Sequence, residues 1–244
     1  MKQFENYILN KTFVLLFLLL ISLFKSQLSI NYTIEKIPNS RRHILNINIE
    51  NNSNINYAIP IDTTGFRVYY PDEPSSNFYY EFADKGLGVM LLFKEQNKYI
   101  IGESRSHDFR QSDLNMREDI KKQKITGEEK LKIWQEKYKI KNKLLAKKNM
   151  YLFNNIIFLQ PGERLSFQKT FDFLDFNNTD YYYNLYFLQP EIQYILRLKY
   201  SINKKIYLNL TTEQKVKLKG YKLFCGDLLS NESLFEFSKS DLKN

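Results

Sequence analysis

Leu165, Phe167, Phe171 and Phe173 alternate with Arg164, Ser166, Gln168, Thr170 and Asp172. Only a repeat of two puts that apolar set on one face and the polar set on the other, and two is the period of a half-buried β-strand. Just upstream run Tyr151-Leu-Phe-Asn-Asn-Ile-Ile-Phe-Leu-Gln160 and then Pro161-Gly162-Glu163. Proline presets φ and glycine accepts a positive one, so the pair marks a tight turn. Residues 151–173 therefore predict a β-hairpin with one buried face.

The rhythm recurs along the chain. Leu28, Ile30, Tyr32 and Ile34 form one set, and Leu45, Ile47 and Ile49 a second. Ile55, Tyr57, Ile59 and Ile61 follow, with Pro60 suggesting a sheet edge or bulge. Phe66, Val68 and Tyr70 predict a further strand, as do Phe78, Tyr80 and Phe82. Val89–Phe93 and Tyr99–Ile101 read as a hairpin, and Tyr181–Leu188, Ile192–Tyr200 and Tyr221–Leu229 complete the series. Short strands at intervals of about ten residues predict an antiparallel sandwich or barrel. With 43% hydrophobic and 16% aromatic residues, the 244-residue chain can bury a substantial core as one large domain or two small ones.

Between residues 111 and 149 the period changes. Thr126-Gly-Glu-Glu129 has the form of a capping box, and a helix is expected from Glu128 to about Asn149, after a weaker one over Ser112–Gln123. Ile133, Trp134, Tyr138, Ile140, Leu144 and Leu145 share one stripe, expected to pack on the sheets, while Lys130, Lys132, Lys139, Lys143 and Lys147 cover the remaining, solvated surface. The insertion holds 12 Lys/Arg against 6 Asp/Glu, so it carries most of the formal charge of +9. The expected organisation is a signal segment over 1–26 and two sheet halves over 27–110 and 150–238, flanking the basic helical insertion 111–149. A Ser/Lys-rich tail over 239–244 is expected to fray. Thr211-Thr-Glu-Gln214 is a second capping box, opening a short helix that stops at Gly220.

At the N-terminus Lys2 and Lys11 precede the uncharged run Thr12–Phe24, and Lys25 closes it. Such a run rises about 20 Å as a helix, short of the roughly 30 Å hydrocarbon core. Its length suits a secretory signal cleaved near Ser26/Gln27, with an uncleaved anchor as the alternative. Export to the periplasm, the cell surface or the medium is therefore expected. The single cysteine, Cys225, allows no internal disulfide and is expected to be a small buried hydrophobe.

Several chemistries lack their residues. Asp62-Thr63-Thr64-Gly65 looks like the Asp-Thr-Gly loop of aspartic proteases, but an extra Thr intervenes and no second loop exists to pair the carboxylates. A strand-ending turn is expected there. His43 and His107 are the only histidines. His107, in Ser104-Arg-Ser-His107-Asp108, is a catalytic candidate only if space assembles what sequence adjacency does not. Two His and one Cys, far apart, give no zinc spacing, and calcium, nucleoside-triphosphate and dinucleotide loops are missing, so no cofactor and no nucleotide is expected. Carboxylates that alternate outward or pair with lysines are expected to be solvated. The lysine-rich insertion suits anionic lipid, polyanionic glycan or an acidic envelope protein, and an exported chain would not meet nucleic acid. The aromatic clusters Phe78-Tyr79-Tyr80 and Tyr181-Tyr182-Tyr183 suit sugar stacking, though half of each must face the core. Asn-x-Ser/Thr triplets begin at Asn31, Asn51, Asn177, Asn209 and Asn231.

Four segments together resemble uncharacterised exported immunoglobulin-like β-sandwich proteins of Gram-negative bacteria with AT-rich genomes. They are Phe24-Lys-Ser-Gln27, Ile59-Pro-Ile-Asp-Thr-Thr-Gly65, Leu159-Gln-Pro-Gly-Glu163, and Tyr221-Lys-Leu-Phe-Cys-Gly226 ahead of Ser230-Asn231. The resemblance covers the ends and middle of the chain but not the insertion. It implies a mainly β, antiparallel immunoglobulin-like sandwich with a signal segment, and it brings no activity. The expectation is a non-enzymatic binding or structural module of the envelope. One alternative is an interaction protein docking through helix 126–149; another is a hydrolase with a spatially assembled site.

Overall fold

The computed structural model describes residues 27–38, 40–71, 86–106, 114–176 and 182–243. The expected signal segment, the strand at Phe78–Phe82, His107 and the Asn177 triplet lie outside the described residues. The fold is mainly β. In chain order the strands are β1 (Leu28–Lys36), β2 (Arg42–Asn51), β3 (Tyr57–Pro60), β4 (Phe66–Arg67), β5 (Val89–Glu95), β6 (Lys98–Tyr99) and β7 (Glu103–Ser106). Two helices follow, α1 (Leu114–Tyr138) and α2 (Lys143–Asn154). Then come β8 (Ile156–Leu159), β9 (Arg164–Asp172), β10 (Tyr182–Leu185) and β11 (Tyr194–Ile202). A 3-10 turn (Lys204–Asn209) and α3 (Thr212–Lys217) lead into β12 (Lys222–Leu223), β13 (Gly226–Phe235) and a last 3-10 turn (Lys239–Lys243).

Among the described residues four sheets result, in the orders β1-β2-β9, β13-β11-β5-β4 with β6 on β5, β12-β3-β8, and β10-β7. Most pairs are antiparallel, but β12–β3 and β4–β5 are parallel, a departure from the all-antiparallel expectation. The β5–β6 hairpin turns at Gln96 and Asn97, both at positive φ as the twist of a tight hairpin requires.

The two larger sheets share one aromatic core. Phe171 of β9 meets Phe66, Phe93 and Phe235 at 6.0, 6.5 and 6.2 Å between ring centroids. Phe235 of β13 lies 5.0 Å from Phe93 and 4.7 Å from the buried imidazole of His43. At one edge the sheets are clipped together by a side chain. A β-bulge shifts the β11–β13 register near Ser230, and Asn231 turns toward β1. Its Oδ1 accepts from the Tyr32 amide at 3.0 Å and its Nδ2 donates to the Tyr32 carbonyl at 3.1 Å, standing in for a missing backbone partner.

The expected hairpin over 151–173 does not form. Tyr151–Asn154 end α2, β8 pairs with β3, and β9 pairs with β2. Each strand finds the partner that shares its pattern. The unbroken apolar run of β8 joins β3, all four residues of which are buried, whereas alternating β9 joins alternating β2. Pro161-Gly162 still makes the turn, with Gly162 at φ 77 and the Glu163 amide donating to Gln160 O at 3.0 Å. That turn carries the chain from one sheet to another, held by backbone bonds from Gly162 N to Asn51 O and from Asn51 N to Glu163 O.

Two further expectations change at the C-terminal end. Cys225 is exposed, because Phe224 takes the inward place, stacked on Tyr200 at 5.6 Å, and the chain then leaves β12 for β13. The tail does not fray over 239–243. Asp241 is 5% exposed and accepts from the Ser238 amide at 2.7 Å and from Lys36 Nζ at 2.5 Å.

Candidate interaction surface

The insertion is a helical hairpin, not a single helix from Glu128 to Asn149. Thr126 lies inside α1, so its capping-box pattern caps nothing. The helix stops after Tyr138 in a Schellman arrangement: Lys139 takes φ 54, its amide donates to Glu136 O at 3.4 Å, and the Ile140 amide donates to Gln135 O at 3.0 Å. Asn142 then caps α2, its Oδ1 accepting from the Leu145 amide at 2.8 Å.

The apolar stripe is accordingly redrawn. Leu131, Tyr138, Ile140 and Ala146 form a small core with Trp134, Met150 and Phe153 packed on it, whereas Ile133, Leu144 and Leu145 are exposed. With the helix broken at Lys139, residues on either side no longer share one face. The stripe packs on α2, with Trp134 4.5 Å from Tyr138 and 6.2 Å from Phe153, and Phe153 in turn packs against the main core.

A buried amide pair ties this hairpin to the body. Asn149 is fully buried, and its Oδ1 accepts from Trp134 Nε1 at 2.8 Å and from Gln214 Nε2 at 3.0 Å. Its Nδ2 donates to Asn209 O and to Gln214 Oε1, each at 2.6 Å. Gln214 is the N3 residue of the α3 capping box, and its Oε1 also accepts from the Thr211 amide at 2.9 Å. Two side-chain amides thus join α1, α2, the 3-10 turn and α3, with all four hydrogen-bonding positions of Asn149 filled.

This junction brings two basic stretches together. Residues 203–222 hold six lysines, Lys204, Lys205, Lys215, Lys217, Lys219 and Lys222, against one acid, Glu213. All six are exposed. Lys137 Nζ stands 5.3 Å and Lys217 Nζ 6.0 Å from the centroid of the Tyr138 ring, one on each side of the boundary between hairpin and α3. Glu213 is the local counter-charge. Its carboxyl is held below the usual range, first by the 2.7 Å hydrogen bond from Lys217, then by the charges of Lys217, Lys137 and Lys139. Exposed apolar side chains sit among the lysines, Val216 (66% exposed) between Lys215 and Lys217 and Leu208 beside the α2 contact.

Of the lysines expected from sequence, Lys130, Lys132, Lys139, Lys143 and Lys147 are all exposed. Lys143 pairs with Glu128 at 3.0 Å. Lys130 and Lys132, two apart on a helix, diverge. Lys139 alone among the five is drawn to the α3 cluster, through Glu213. The α3 lysines lie outside the insertion to which the basic surface is assigned from sequence, although a count of six Lys to one Glu over 203–222 carries the signal.

The other candidates have structural roles. Asp62 forms the expected turn: Oδ1 accepts from the Thr64 amide and hydroxyl at 2.8 and 2.6 Å, and Oδ2 from the Tyr151 hydroxyl at 2.7 Å. His43 is buried with Nδ1 3.0 Å from Arg41 O, and burial holds its pKa below the usual value. Among the described residues no group of three or more His, Cys, Asp and Glu is placed to hold a metal ion, and no helix is long and apolar enough to cross a membrane. Asn51 and Asn231, which open two of the Asn-x-Ser/Thr triplets, spend their amides on backbone groups.

Comparison with known proteins finds no match: no protein-family model, no curated protein and no solved structure is similar enough to align with the chain.

Proposed function

We propose that the chain is an exported immunoglobulin-like β-sandwich acting without catalysis, as a binding module of the cell envelope. Its contact surface is the lysine-rich end formed by the α1–α2 hairpin and α3. The short apolar run Thr12–Phe24, bounded by lysines, supports export. Two sheets sharing one core support the sandwich. Asp62 and His43, the described residues closest to catalytic patterns, are committed to a turn and to the core, which favours binding over hydrolysis.

The observation that carries the reading is the junction at Asn149 and Gln214. It joins two lysine runs into one exposed surface on which lysines outnumber acids, with Glu213 the one acid on the α3 side, and such a surface attracts anionic partners at short range. The test is retention on immobilised heparin and co-sedimentation with envelope membranes at physiological salt, for the wild type and for Lys139→Glu/Lys215→Glu/Lys219→Glu. The wild type should be retained and the triple variant released at markedly lower salt, with an unchanged circular-dichroism spectrum. Equal retention of a folded triple variant would overturn the reading.

A further inference from the structure

We propose that the lysine-rich end is a membrane-facing surface whose partner is an anionic phospholipid bilayer. The inference rests on the binding reading above and names its partner. Three observations favour lipid over a soluble polyanion or an acidic protein.

The first is the mixing of charge with exposed apolar side chains. Val216 projects from between Lys215 and Lys217. Next along the chain Tyr221 is flanked by Lys219 and Lys222, and it packs against Phe158 of β8 at 4.5 Å between centroids, with Phe158 46% exposed. A soluble polyanion gains nothing from exposed Val and Phe, whereas the headgroup–acyl boundary takes both the apolar side chains and the lysine heads that reach past them.

The second is the place where the N-terminal segment meets the body. Gln27 is fixed beside this surface: its carbonyl accepts from the Asn52 amide at 2.9 Å, and its Oε1 accepts from Lys222 Nζ at 2.9 Å and from the Tyr57 hydroxyl. Lys222 also sits 5.4 Å from the Tyr57 ring centroid. Gln27, three residues after the end of the apolar run Thr12–Phe24 in sequence, therefore lies against Lys222 of the basic end.

The third is rigidity. The Asn149–Gln214 pair ties the hairpin to α3, and the Tyr138 ring lies beside both Lys137 and Lys217, so the two elements present their lysines from one joined platform. Binding to a flat surface then needs no further ordering of one element against the other.

The test is sedimentation of the full chain with vesicles of phosphatidylglycerol mixed with phosphatidylcholine, and with phosphatidylcholine alone. Binding is expected to need phosphatidylglycerol and to weaken with salt. A lysine near an anionic surface contributes about 1 kcal/mol, a factor of about five, so Lys139→Gln/Lys215→Gln/Lys219→Gln should lower partitioning about a hundredfold. Val216→Ser and Phe158→Ser should weaken vesicle binding while leaving heparin retention unchanged. Heparin retention with no preference for phosphatidylglycerol would overturn the lipid inference and leave the binding reading standing. Failure of both assays would overturn both. Equal binding to the two vesicle types, unaffected by the lysine changes, would assign attachment to the apolar segment and sink this inference.

Discussion

Asn149 has no charge and makes no contact with the outside, yet the geometry of the basic end depends on it. In a place closed to water its carboxamide meets two donors and two acceptors supplied by α1, the 3-10 turn and α3. Removing it strands the Trp134 indole N–H, the Asn209 carbonyl and half of the Gln214 amide in an apolar setting. A buried polar group left without its partner costs more than the bond itself contributes. Asn149→Ala should therefore lower the free energy of unfolding by about 2–3 kcal/mol in urea titration. The same variant should shift the native emission of Trp134, the only tryptophan, to longer wavelength. Unchanged stability together with an unshifted spectrum would mean the node does not join the hairpin to the body.

At the scale of elements, β9 is a nine-residue strand at the edge of its sheet, the kind of element that recruits copies of itself. Its inward row reads Leu165, Phe167, Lys169, Phe171, with a lysine where the alternation calls for an apolar residue. Lys169 Nζ donates to Thr64 O, folding the ammonium over the end of the row. An inward charge on an edge strand opposes edge-to-edge pairing, so Lys169→Val should raise self-association in light scattering without lowering the melting temperature. A variant as monodisperse as the wild type would show that the edge is guarded some other way.

The same strand shows what the sequence discloses. The alternation of β1, β2, β9 and β11 is legible residue by residue, as are the Asp62 turn and the α3 capping box, because each depends on neighbours within a few positions. Partner choice is not local. Gln160-Pro-Gly-Glu163 makes the same tight turn whether the flanking strands pair or part, and they part because β3 and β2 offer better-matched faces. The break at Lys139 was hidden for a related reason, since no glycine or proline marks it and a lysine accepts positive φ there. The candidate surface was half legible, with the insertion lysines plain in the sequence and their union with α3 visible only in three dimensions.

For the molecule as a whole, closure of the core at its C-terminal end is tied to pH through two groups of opposite sign. His43 packs between Phe171 and Phe235, with Lys36, Asp172 and Asp241 as the nearby charges and Nδ1 on Arg41 O. Burial lowers its pKa below 6.5, outweighing the Arg41 carbonyl, and Lys36 pushes the same way. The folded state therefore prefers the neutral ring. Its contribution is complete above the unfolded value of about 6.5 and is lost as pH falls below it, because the unfolded chain takes up the proton more readily. Asp241 behaves as a paired carboxylate. The Lys36 ammonium, followed by the Ser238 amide, holds it at about 2, below the ordinary 3.8, so its contribution persists above about 4 and is lost between there and about 2. The melting temperature should thus fall in two separate steps on acidification, one just below neutrality and one below pH about 4. His43→Leu should remove the first step and leave the second, while Asp241→Asn should do the reverse. A wild-type melting temperature flat between neutrality and pH about 5, or a first step that survives His43→Leu, would mean that other groups carry the acid sensitivity of the core.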